Sequence, residues 1–251
     1  ENLGNHVEII IFDNRFEKAV KYAQLDAAFI IDATYMGKPG IMGGLRDILE
    51  KFKLPYTGSK LEAAAITKNK SLSKKYFERK KLLTPAYLEI NRENVVKLKK
   101  FLVKYNIDSP YVIKPRDEGA GMDVAFVETP SELFKIARDL LEKYKNLLIE
   151  HFVNGMEITV PILEIEGKAT PLATVEIEKA KRVKVFSNDI KSLLQFSPQK
   201  IGEKIVKYHI PARLNKTVSE KAMRDAIAAH ESMECRGYSR VDMIIDGANN
   251  I

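Results

Sequence analysis

Tyr111-Val-Ile-Lys-Pro-Arg-Asp-Glu-Gly-Ala-Gly121 is the stretch that decides how this chain is read. Tyr111 to Ile113 is a short apolar run of the kind that forms a buried strand. It ends on Lys114, and an ammonium at the end of a buried strand is costly unless it meets an anion. Pro115 stops the strand, and glycines at 119 and 121 let the backbone amides of the next loop come close to a phosphate. Strand, lysine and small-residue loop together form a nucleotide grip. The loop is not a Walker A motif, since no Gly-Lys-Ser/Thr follows it, and the chain holds no Gly-x-Gly-x-x-Gly. Taken alone, the stretch also reads as a tight hairpin with a capping lysine.

The 251 residues, 45% of them hydrophobic, suffice for one large core or two modest ones. No apolar run approaches the roughly 18 residues that would span a bilayer, so no membrane partner is expected. The single cysteine, Cys235, rules out an internal disulfide, suits a reducing cytoplasm and is expected to pack as a small hydrophobe. A net charge of +7 fits nucleic acid, polyphosphate or a solvated surface equally well. Basic residues cluster at Lys68 to Lys81 and Lys179 to Lys184, and aromatics are not interleaved along these runs as a stacking platform for nucleic acid would require. Histidines 6, 151, 209 and 230 show no metal-ligand spacing.

Strand and helix patterns alternate at the start of the chain: Val7 to Phe12, Arg15 to Gln24, Ala27 to Ile31, a glycine loop with Gly37, Gly40, Gly43 and Gly44, a helix to Phe52, and a short strand into Tyr56-Thr57-Gly58. That alternation predicts a wound, parallel α/β sheet. From Leu61 two lysine-rich helical stretches lead to a strand at Ala86 to Ile90. A helix over Arg92 to Tyr105 carries Val95, Leu98, Leu102 and Tyr105 inward. Thr129, Pro130 and Glu132 form a capping box for a further helix with Leu133, Ile136, Leu140 and Tyr144 as its stripe. Strands follow to Glu150, over Met156 to Leu163 and over Ala169 to Ile177. Residues 179 to 207 are charged, aperiodic and expected to be mobile. A helix from Lys216 to Met233 and a strand from Ser239 to Ile245 close the chain.

Five motifs occur in order with compatible gaps: Leu54-Pro-Tyr-Thr-Gly-Ser59, Ala64-Ala-Ile-Thr-Lys-Asn-Lys-Ser-Leu-Ser-Lys74, the Lys114 stretch, Leu148-Ile-Glu-His-Phe-Val-Asn-Gly-Met-Glu-Ile-Thr-Val160, and Tyr208-His-Ile-Pro-Ala212 with Cys235-Arg-Gly-Tyr-Ser-Arg-Val-Asp242. Over nearly the whole chain they resemble the D-alanine–D-alanine ligase branch of the ATP-grasp carboxylate–amine ligases. The resemblance implies an α/β chain, α+β in its ATP-grasp part: a partial wound domain at 1–60, a central domain at 61–150 and a C-terminal domain at 151–251. It implies an ATP- and Mg²⁺-dependent ligase (Mn²⁺ being an alternative ion) that activates a carboxylate as an acyl phosphate for attack by an amine. ATP and small amino-acid-like substrates, a place in peptidoglycan chemistry and a homodimer belong to the same implication. By resemblance, Lys70 and Lys114 hold the phosphates, and Glu118, Gly119, Ala120 and Gly121 fold over them. Glu150, Phe152 and Val153 line the adenine hinge, and Glu157 holds the ribose. Arg240 and Lys191 are catalytic, and Asp242 is the metal ligand. Bland alternatives stand beside these roles. Lys70 is one of seven basic residues between 68 and 81 and reads equally as part of a solvated helix face, while Glu157 reads as a solvent-facing strand residue.

Three departures fall on the amino-acid side. Ala120 replaces a serine, Met36-Gly-Lys-Pro-Gly-Ile-Met-Gly43 lacks the family's histidine and acids, and Asp189-Ile-Lys-Ser192 aligns Lys191 without its tyrosines. With the ATP side kept and the substrate side rewritten, the expected ligase joins something other than two D-alanines. A catalytically weak ATP-binding regulatory protein of the same fold is the alternative, and a basic nucleic-acid module is a third reading. An N-terminal strand, and a C-terminal return strand bringing a Glu and an Asn to the metal, are expected beyond the two ends of the sequence.

Overall fold

The computed structural model of the chain describes residues 4, 6–11, 13–30, 42–119, 121–180, 183–185 and 205–251. They divide into two units, residues 1–65 and 66–251.

In the first unit, helices α1 (Phe16–Tyr22) and α2 (Met42–Lys51) enclose a small core of Phe16, Val20, Ile30, Leu45, Leu49 and Leu54. The expected strand at Val7 to Phe12 is not formed in its described part, residues 7–11. No described segment pairs with it, and Ile9 is 90% exposed. A strand without a ladder leaves its amides and carbonyls to water, so apolar alternation alone does not make one. Ala28 and Tyr56 form a parallel bridge where two strands are expected, reinforced by Ile30 N donating to Thr57 Oγ1 at 3.0 Å. Gly43 and Gly44, read as loop, lie inside α2. Helix α3 (Leu61–Lys68) follows, with Ala63 and Ala64 buried.

The second unit carries two antiparallel sheets. The first has strands β1 (Tyr87–Asn91), β2 (Tyr111–Pro115), β3 (Ala125–Val127) and β4 (Asn146–His151), in the order β1-β4-β2-β3. Leu88, Ile90, Tyr111, Ile113, Leu147 and Ile149 point to one face, where they pack with helices α5 (Leu98–Lys104) and α6 (Pro130–Leu141). The helix expected over Arg92 to Tyr105 is shorter. Asn91 Oδ1 accepts from the amides of Glu93 and Asn94, both at 3.0 Å, so this asparagine turn holds the chain out of helix until Val95. Tyr105 is 47% exposed and Ile107 takes the inward place. Thr129 caps α6, accepting from Glu132 N at 3.2 Å, but the buried stripe is Leu133, Ala137 and Leu141, with Ile136, Leu140 and Tyr144 at its flank.

The second sheet comprises β5 (Gly155–Ile165), β6 (Lys168–Pro171), β7 (Val175–Lys179), β8 (Val206–His209) and β9 (Tyr238–Asp246). Its order is β6-β5-β7-β8, with β9 laid along β5 from Gly155↔Asp246 to Leu163↔Tyr238. Helix α7 (Lys216–Ser232) covers one face through Val218, Ala222 and Ala226, packed on Ile158, Val160, Ile162 and Ile245. The single strand expected over Ala169 to Ile177 is two. Leu172 N turns to Pro161 O at 2.9 Å and Thr174 O accepts from Ala212 N at 2.8 Å, which breaks the ladder between β6 and β7. Residues 206 and 207, assigned to a mobile stretch by sequence, join Tyr208 and His209 in a strand that pairs with β7. A Cβ at Gly155 would lie 2.3 Å from Ile245 O, so only glycine lets β9 approach here. Cys235 is buried, as its isolation predicts.

Candidate functional site

Each sheet has a face that no helix named above fills, and the expected site residues gather on these faces. On the first sheet the register aligns Tyr87 with Glu150 and Glu150 with Val112, so Tyr87, Glu150, Val112 and Lys114 share a face opposite the core. Phe126, paired with Val112, belongs to that face and meets Phe152 edge-on at 4.8 Å between ring centroids. Phe152 and Val153 are half-buried in the connection from β4 to β5, so the expected adenine hinge offers an apolar wall.

Helix α4 (Lys70–Arg79) brings the remaining cations. Asn69 caps it, accepting from Leu72 N at 3.0 Å, which places Lys70 in the first turn and Lys74 one turn on. The Lys70 ammonium donates to the carbonyls of Pro115 (3.2 Å), Arg116 (3.1 Å) and Glu118. It therefore grips the start of the glycine loop. Burial, and then the nearby Lys114, pull its pKa down to about 8. Arg116 stiffens the same loop, donating to Glu89 Oε1 at 2.7 Å and to both oxygens of Asp117. Tyr144 fastens its far side through a 2.7 Å bond to Asp123. Gly119 is exposed and Gly121 takes φ +75°, which a side chain would resist.

The anion that Lys114 demanded in the sequence is Glu150 in this structure. Glu150 lies between two ammoniums: Lys74 at 2.7 Å on one oxygen and Lys114 on the other. Burial alone would push this carboxyl up, but Lys114 and Lys74 together outweigh it and hold the pKa at about 2. Lys74, whose side chain is 7% exposed, also donates to Thr84 Oγ1 at 2.6 Å and Pro85 O at 3.3 Å, and lies 4.9 Å from the Tyr87 ring centre. Sequence reading assigned Lys74 nothing. Two signals could have found it: its four-residue spacing from Lys70, and a glutamate ending the apolar run Leu147-Leu-Ile149.

On the second sheet, pairing puts Glu157, Thr159, Arg240 and Asp242 on one face, away from α7. Glu157 is ion-paired with Lys179. Arg240 and Asp242 are exposed and bonded to each other, Nε to Oδ1 at 3.0 Å and Nη2 to Oδ2 at 3.2 Å. Among the described residues no group of three or more His, Cys, Asp or Glu could hold a metal by itself. Asp242 supplies one hard, exposed carboxylate, which fits Mg²⁺ only as a shared ligand alongside phosphate oxygens. The structure thus brings Lys70, Lys114, Glu118, Gly119, Gly121 and Glu150 together on the first sheet, and Glu157, Arg240 and Asp242 on the second. Ala120, Lys191 and residues 36–41 lie outside the described residues. His151 donates from Nδ1 to Asp108 O at 2.9 Å, and His209 meets Glu178 at 2.6 Å.

Two antiparallel sheets, one bearing a lysine pair beside a glycine loop and the other a carboxylate and a guanidinium, define an ATP-grasp architecture. The family model for the D-ala D-ala ligase C-terminus matches residues 77–251. The chain belongs to the D-alanine–D-alanine ligase family of ATP-dependent carboxylate–amine ligases. It is 29% identical over 249 residues to a D-alanine–D-alanine ligase of Carboxydothermus hydrogenoformans, covering 98% of this chain and 75% of that one. It is 32% identical over 225 residues to the enzyme of the same name from Syntrophobacter fumaroxidans, covering 89% and 67%. In fold it is similar to the VanG D-Ala:D-Ser ligase of Enterococcus faecalis, with TM-score 0.74, 22% identity and coverage of 91% of this chain and 62% of that one. A D-alanine–D-alanine ligase of Bacillus anthracis complexed with ATP gives TM-score 0.68 at 23% identity, covering 93% and 67%. No helix among the described residues is long and apolar enough to cross a membrane.

Proposed function

We propose that this chain is an ADP-forming ligase that uses ATP to activate a carboxylate as an acyl phosphate and joins it to an amine, with small amino acids as both substrates. The observation that carries the reading is the lysine pair at the glycine loop. Lys70 and Lys114 offer two cations with rotatable donors at the end of β2, where backbone amides of the glycine loop can meet a triphosphate. Glu118 to Gly121 cover the phosphates, Glu150, Phe152 and Val153 bound the adenine, and Glu157 accepts from the ribose hydroxyls. Arg240 stabilises the negative charge that develops on the acyl phosphate, and Lys191 joins it from the segment after β7. Asp242 is the residue that would hold Mg²⁺ or Mn²⁺, an ion that screens phosphate charge when bound. The three-domain division at about residues 60 and 150 and a cytoplasmic place in peptidoglycan chemistry belong to the same proposal.

The test is ADP and phosphate release measured over a panel of amino acids that begins with D-alanine and D-serine. ADP that appears only with an amino-acid pair supports the ligase. Nucleotide binding without any turnover supports the regulatory alternative instead. Lys114→Ala should weaken ATP binding at least tenfold, since a charged donor to phosphate contributes roughly 1.5–3 kcal/mol. Unchanged affinity in a folded variant would remove Lys114 from the site.

A further inference from the structure

Lys74 lies too deep to meet the nucleotide's phosphates directly: its side chain is 7% exposed and it is ringed by Glu150, Thr84, Pro85 and Tyr87. We propose that Lys74 is a positioning residue whose ammonium occupies one oxygen of Glu150, so that the other oxygen aims Lys114 at an incoming triphosphate without neutralising it. The inference rests on the ATP-binding reading above and deepens it.

The argument is one of charge count and geometry. Glu150 alone opposite Lys114 would make a closed one-to-one pair, and a phosphate would have to compete with a buried carboxylate for that ammonium. With Lys74 present, two ammoniums share one carboxylate. The cluster then carries a surplus positive charge, and the exposed end of that surplus is Lys114, with a side chain 22% exposed against 7% for Lys74. The backbone fixes this asymmetry. Lys74 is held by α4 and by the Thr84–Pro85 segment before β1, whereas Lys114 leaves the open end of β2 at the glycine loop. The charged and titratable groups facing Glu150 are Lys70 and Lys74 from α4 and Lys114 from β2. Glu78 on α4 acts on Lys74, and Tyr87 of β1 covers Lys74 and bonds to Glu78.

The experiment uses the full chain with ATP as the probe, at pH 5 to 7, in wild type, Lys74→Met and the double variant Lys74→Met/Glu150→Gln. Lys74→Met should weaken ATP about tenfold at pH 7, because Glu150 then claims Lys114 outright. The ratio to wild type should shrink toward one as the pH falls and Glu150, no longer held by two cations, takes up a proton. Taking the ratio cancels the titration of ATP itself. The double variant should regain most of the affinity, because the competing charge has gone while the backbone groups of residue 150, through which the hinge is proposed to meet adenine, are kept. A loss that is constant with pH, or a double variant weaker than Lys74→Met, would reduce Lys74 to a packing residue. Lys74→Met that matches wild type would also overturn the proposal. If Lys74→Met does not fold, the double variant carries the test, and its failure to bind ATP while folded would be decisive against it. Wild type that binds no ATP would sink the functional reading instead. In that event the carbon-13 titration of the Glu150 carboxyl remains. It should stay near its wild-type low value if Lys74 is idle and rise in Lys74→Met if the proposal holds.

Discussion

Replacing Glu150 by glutamine keeps the shape of the side chain and removes the one negative charge between two ammoniums, Lys74 buried and Lys114 half-buried. Glu150 has an unfolded-state value of 4.5 and a folded value of about 2, and at 1.36 kcal/mol per unit the difference is worth about 3 kcal/mol at neutral pH. Breaking a buried ion pair by deleting one partner costs about 3–5 kcal/mol, so two independent routes agree. The sign with pH follows. A depressed carboxyl pKa stabilises the fold fully above 4.5, and the contribution fades as the pH falls through 4.5 toward 2. Glu150→Gln should therefore be less stable than wild type at pH 7 and should lose that part of the acid dependence. At the alkaline end the variant should recover. Burial lowers the Lys74 pKa, so once Glu150 is gone stability rises with pH on the way to the unfolded lysine value of 10.5. The chain has no tryptophan, so urea unfolding is best followed by far-ultraviolet circular dichroism. A loss below about 1 kcal/mol, or a wild-type acid limb retained in the variant, would refute the buried-triad argument.

Three further outcomes are expected. Gly155→Ala pushes a Cβ to 2.3 Å from Ile245 O and 2.7 Å from Ile244 Cγ2, so it should cost about 1–3 kcal/mol, read as a lower melting midpoint; an unchanged midpoint would mean that β9 can shift aside. Arg213→Met strips the guanidinium that holds buried Glu176 below the usual carboxylate range, so the variant should be less stable at pH 7 and the gap should close as the pH drops below 4.5; a gap constant with pH would mean that the pair carries no charge effect. Asn215→Ala removes the cap that accepts from Val218 N at 2.9 Å and should cost about 1 kcal/mol, with Asn215→Asp retaining most of it; equal losses in both would point away from capping.

Much of the second unit was legible in sequence because its strands and helices carry their own boundaries. Leu147 to Glu150 and Met156 to Leu163 are apolar runs ended by turn residues, and Val218, Ala222, Ala226, Ala229 and Met233 mark one helix face, all five buried. Long-range pairing was not legible. Residues 7–11 alternate as a strand should but find no ladder, whereas 206–209 become a strand because β7 offers them partners. In the site, Lys114 could be read because its strand is apolar and its loop glycine-rich. Lys74 could not, because a charge run looks like a solvated face until the fold shows Ser71, Ser73 and Lys74 turned inward. Glu150 was expected at the adenine hinge, and the engagement of its side chain with two lysines depends on a register between β1, β2 and β4 that no local pattern encodes.

The grip of Lys70 on the carbonyls of residues 115, 116 and 118 makes the loop a guarded one. On the proposed role of Lys70, a phosphate would win its ammonium only by taking it from those oxygens. Nucleotide affinity would then be the difference between two sets of acceptors rather than the full strength of a lysine–phosphate contact. The same exchange would unfasten the loop at the moment there is something for it to cover. Adenosine, which can reach the hinge but brings no phosphate, would leave the catch closed. A nucleoside with phosphates would thus act as its own key, and the chain would tell a bare nucleoside from a phosphorylated one before chemistry begins.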